Sequence, residues 1–152
     1  MTRFSRAAFA AAAVLVALPA LAGSDLDPAS LKALKSYTLS MDKIRAMQAA
    51  MDEAKQTRVL GEEKSSGQDS KSIAEMEAKI AAMPAAMAIY RKHGLTAADA
   101  VLMPLTLMDA GVAVSYPAAA PKLADRVSPA QIAFYKQHQA ELKSLPWLFG
   151  RE

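Results

Sequence analysis

The sequence predicts an all-α fold, a four-helix bundle whose simplest order is up-down-up-down. Three observations predict it. Apolar residues recur at steps of three and four in four separate stretches, the spacing of one face of a helix. Each of these stretches opens on residues that cap helix N-termini. No stretch alternates apolar and polar residues as a half-buried strand does.

The first predicted helix opens at "LDPASL". Asp27 suits the N-cap, Pro28 the first helical position, and Leu26 can staple onto Leu31. Its apolar face runs Leu31, Leu34, Tyr37, Met41, Ile44, Met47, Met51 and Ala54, with Gly61 as the expected stop. The weaker helix formers of "SYTLS" loosen it near Tyr37. The polar loop "GEEKSSGQDSK" follows. Ser72 and Glu75 then form a capping box, and the stripe Ile73, Met76, Ile80, Met83, Met87, Tyr90 begins. That stripe keeps its phase through Pro84, so a kink within one helix is expected there. The alternative is a break into two short helices, because a residue before proline resists helical geometry.

Gly94 ends the second helix, and Thr96 with Asp99 opens the third. From Ala100 to Tyr116 the chain is nearly all apolar, but Pro104, Asp109 and Gly111 interrupt it. A helix buried on most sides is expected rather than a membrane span. Asp99, Thr106 and Asp109 fall near one narrow face, which either meets water or holds an acid paired with a buried cation. The proline- and alanine-rich "SYPAAAPKLADR" connects to the fourth helix. There Ser128 caps, Pro129 takes the first position, Gln131 completes the box, and Val127 staples to Ile132. Pro146 stops that helix, and the tail "WLFG" follows.

Residues 1–22 have the layout of a Sec-type secretory signal peptide. Arg3 and Arg6 form a basic start, an apolar run extends from Ala7 to Leu18, and Ala20-Leu21-Ala22 offers a cleavage site. A periplasmic or secreted protein is therefore expected, with residues 23–152 as one helical domain. The formal net charge of +3 falls to +1 once Arg3 and Arg6 leave with residues 1–22. A nearly neutral domain lacks the basic footprint of a nucleic-acid partner. The chain has no cysteine, which excludes disulfides, thiolate metal sites, iron–sulfur clusters, covalent c-type haem and a cysteine nucleophile.

Candidate chemistry is sparse. No GxSxG, HExxH, glycine-rich phosphate loop or Glu-x-x-His stands in the sequence, so an enzyme is not expected. The expected role is binding, to a protein or an apolar small molecule, with no cofactor. The candidate surface is Trp147, Leu148 and Phe149 with nearby Tyr135; folding of this tail over the end of the bundle is the plainer reading of the same residues. The rival class is a b-type haem or Cu(I) protein. His138, Met51, Met83 and Met108 fall near one level of an up-down bundle and offer the soft ligands such a site uses. His93, beside Arg91, Lys92 and Gly94, instead reads as part of a helix C-terminus.

Three blocks, "YTLSMDKIRAM", "HGLTAADAVLMPLTLMDAG" and "SPAQIAFYKQHQAEL", resemble an uncharacterised group of small exported bacterial helical proteins. The resemblance spans most of residues 23–152 and implies a small exported helical protein, without an activity. A second likeness, of Ser128 to Gln131, is to the LTxxQ helix starts of periplasmic stress chaperones. The strongly basic concave surface of those chaperones is not matched by the charge of this chain.

Overall fold

The structure is a computed structural model, and it describes residues 26–57, 70 and 72–149, with the backbone alone at Phe149. The predicted signal peptide and most of the predicted polar loop lie outside the described residues. The described part is all-helical, as the periodicity predicts. Its helices are α1 (Pro28–Ser36), α2 (Met41–Thr57), α3 (Ile73–Ala81), α4 (Pro84–Lys92), α5 (Ala97–Ser115), a 3-10 helix (Pro117–Leu123), α6 (Pro129–Lys143) and α7 (Pro146–Phe149). The expected count of four is corrected: each of the first two predicted helices is two helices, the connection before α6 holds the 3-10 helix, and the tail forms α7.

The first break lies at residues 37–40. Tyr37 turns to extended backbone with ψ 129°. This end of α1 is fixed from outside the segment. Gln131 Nε2 donates at 2.8 Å to Leu34 O, which also accepts from Tyr37 N, and at 2.7 Å to Tyr37 O, a carbonyl beyond the helix end. Ser40 then starts α2, its hydroxyl accepting from Lys43 N and its carbonyl from Ile44 N.

The second break is at Pro84 and replaces the expected kink. Met83 takes φ −99° and ψ 90°, the extended geometry imposed on a residue before proline, and Pro84 becomes the first residue of α4. The unbroken stripe was misleading for a physical reason. Met87 is buried, while Ile80 and Met83 still pack against the same core from either side of the break.

The predicted caps are present. Asp27 accepts from Ser30 N at 2.8 Å, Ser72 from Glu75 N at 3.1 Å, and both Thr96–Asp99 and Ser128–Gln131 are reciprocal boxes. Gly94 takes φ +73°, a left-handed position that penalises any side chain. The N-terminus of α1 also meets that of α3, where Ile73 N donates to the buried Ser30 hydroxyl at 2.9 Å.

Helix α5 is the hub, packing on α1, α3, α6 and the 3-10 helix and more lightly on α2 and α4. Its N-terminal half closes a small core, with Val101, Leu102 and Leu105 against Leu26, Leu34, Ile73 and Met76. Its C-terminal half joins the main core through Met103, Leu107, Ala110 and Ala113, against Ile44, Met47, Met87, Tyr135 and Leu142. By length and mean hydropathy, 1.5, α5 meets the criterion for a membrane-crossing helix, and 56% of the window that does so is buried inside this fold. Gly111 lets α6 approach: a Cβ there would stand 3.0 Å from Tyr135 Oη.

Candidate functional site

The polar groups of α5 fall into two buried arrangements, and both act as fasteners. Asp99 is 3% exposed and accepts four hydrogen bonds. Oδ1 takes Tyr37 Oη at 2.7 Å and Lys43 Nζ at 2.6 Å. Oδ2 takes Thr96 N at 3.0 Å and Thr96 Oγ1 at 2.8 Å. Burial by itself would raise this carboxyl, but the donors from Lys43, Tyr37 and Thr96 outweigh it and hold the pKa at about 2. The Tyr37 hydroxyl moves upward, first through burial and then through the anion beside it. A carboxylate this stable and a phenol this reluctant to ionise do not exchange protons near neutral pH, so the cluster ties the α1–α2 link and α2 to α5.

Asp109 settles the alternative left open for its helix face: it is buried and pairs with a buried arginine. Arg126 Nε donates to Asp109 Oδ2 at 3.0 Å. Burial raises the Asp109 pKa, and the Arg126 charge counters only part of that. The pair ties α5 to the turn between the 3-10 helix and α6. One turn away, the fully buried Thr106 Oγ1 has no hydrogen-bond partner among the described residues.

His93 stands at the end of α4, and its backbone N–H bonds to Ile89 O and Tyr90 O. Its ring also reaches α2, with Nε2 at 2.8 Å from Glu53 Oε2, and Lys92 Nζ lies 2.8 Å from Glu53 Oε1. These contacts, with Lys92 the larger, lower the Glu53 pKa. The sequence reading of a helix end omitted Glu53, which lies 40 residues from His93.

The candidate binding residues separate. Tyr135 is 3% exposed and sits under Gly111, so it contributes no surface. Trp147 and Leu148 are half-buried against the main core, and Trp147 Nε1 is buried without a partner among the described residues. The Phe149 side chain lies outside the described part. Of the soft-ligand set, Met51 and Met83 are half-buried against the main core. His138 is half-buried with its ring 4.6 Å from that of Phe134, and Met108 is exposed on α5.

Sequence reasoning missed the concave surface where α1 ends and α6 begins. Two depressions flank Lys35 there. One, about 230 Å³, is lined with polar groups including Thr38, Ser128 and Gln131. The other, about 300 Å³, is lined by Ala120, Ala124, Val127, Pro129 and Ile132, with Lys35 as its one charged residue. The end of α1, the 3-10 helix, the turn after it and the start of α6 build it, so no spacing in the sequence announces it. The two alanines leave the space, and the buried Val127 belongs to the main core beneath.

No protein family, no curated protein and no solved structure matches this chain.

Proposed function

We propose that this is an exported, non-enzymatic helical protein that acts by binding an apolar small molecule. The observation that carries the reading is the depression over Val127 and Ile132, with five apolar residues and a single cation around it. Its volume falls at the low end of the roughly 300–1,000 Å³ of small-molecule sites, which are mostly apolar with a few polar groups that orient the ligand. The acidic groups support it too. Asp99 and Asp109 are engaged in holding helices together, and neither lines this depression.

The test is fluorescence of the neutral apolar dye Nile red. Dye emission should rise and shift to the blue on the wild-type protein. Ala124→Trp, at an exposed position on the rim, should abolish the effect by filling the space. A Trp147→Ala variant should keep it. Dye binding that survives Ala124→Trp and disappears with Trp147→Ala would return the site to the C-terminal tail.

A further inference from the structure

We infer that the ligand is an anionic amphiphile, a medium-chain alkyl carboxylate, with its headgroup on Lys35 and its chain over Val127 and Ile132. This rests on the binding reading above and adds the ligand's charge and shape. The argument starts from Lys35. It is exposed in the last turn of α1, lines both depressions, and forms no ion pair among the described residues. Its position sets it apart: five other cations are engaged, Lys43 with Asp99, Arg45 with Glu141, Lys79 with Glu75, Lys92 with Glu53 and Arg126 with Asp109, and no described cation other than Lys35 lines either depression. An available ammonium at the edge of an apolar concavity complements a carboxylate attached to an alkyl chain.

The rest of the rim agrees. Lys122 and Asp125, on the same connection as Ala124, have opposite signs, and neither lines the depression. The apolar floor has no hydroxyl or amide to orient a sugar, a nucleobase or a peptide backbone. A cationic amphiphile would place like charge beside Lys35. A neutral alkyl compound would fill the floor and gain nothing from the ammonium. Chain length should matter up to the length the depression holds. Each methylene covered is expected to tighten binding about two- to fourfold, because the site is half open and only part of each methylene leaves water.

The experiment is calorimetric titration of the purified protein with decanoate, decanol and decyltrimethylammonium, each below its micellar concentration. Decanoate should bind at least about tenfold more tightly than decyltrimethylammonium. Lys35→Met should weaken decanoate about tenfold and leave decanol unchanged, and Ala124→Trp should abolish both. Lys35 and Ala124 are exposed, so neither variant threatens the fold. Equal affinity for decanoate and decyltrimethylammonium, or decanoate binding indifferent to Lys35→Met, overturns the inference. In that case decanol binding that Ala124→Trp removes leaves the broader binding reading standing. Absence of both decanol and decanoate binding removes inference and reading together.

Discussion

Asp99→Asn tests the largest fastening. In the folded protein this carboxyl is held at about 2 against an ordinary 3.8. At about 1.4 kcal/mol per tenfold change in proton affinity, the charged form stabilises the fold by about 2 kcal/mol at neutral pH. Asparagine also turns an amide N–H₂ toward donors, because all four groups around Asp99 donate to it. That conflict adds about 1 kcal/mol. The total, about 3 kcal/mol, corresponds to a fall of roughly 10 °C in the thermal midpoint. The pH dependence separates the two parts. The folded value lies below the unfolded one, so the charge contribution is complete above about pH 4 and is lost as pH falls through about 2. Urea denaturation of wild type and variant at pH 7 and pH 2.5 should show the gap narrowing to about 2 kcal/mol in acid, where part of the folded carboxyl is still ionised. An equal gap at both pH values would refute the assignment of Asp99 as a charged hub.

Three further outcomes are expected from urea or thermal unfolding. Arg126→Met should cost about 3–5 kcal/mol by leaving Asp109 buried without its cation, with a smaller cost in Asp109→Leu/Arg126→Met; the single-variant loss should also shrink in acid, because the raised Asp109 carboxyl then takes a proton. Gly111→Ala should destabilise by about 1–2 kcal/mol although alanine favours helix, because its Cβ meets the Tyr135 ring, and Tyr135→Phe should recover part of the loss. Gln131→Leu should cost about 2–3 kcal/mol by releasing Tyr37 O and Ser128 N and leaving Leu34 O with Tyr37 N alone.

Local signals were legible in the sequence where the physics is local. Asp27, Ser72, Thr96, Ser128 and Gly94 mark helix ends because a cap bonds within three or four residues of itself. The break at Tyr37 was visible only as weakened helix propensity, since its cause, Gln131, lies 94 residues away. The break at Pro84 was hidden because a helix can be interrupted while its apolar residues stay on the core side. Asp99 was legible as a cap and illegible as a hub, because Tyr37 and Lys43 are 62 and 56 residues distant. The depression at the start of α6 was illegible for the same reason: its floor and rim come from α1, the 3-10 helix, the following turn and α6.

The most direct test of the account is where an apolar ligand lands. Amide resonances of the ¹⁵N-labelled protein, followed during titration with decanol, should move at Lys35, Ala120, Ala124, Val127 and Ile132 and stay fixed at Trp147 and Leu148. Shifts centred on Trp147 and Leu148, with those five amides unmoved, would contradict it.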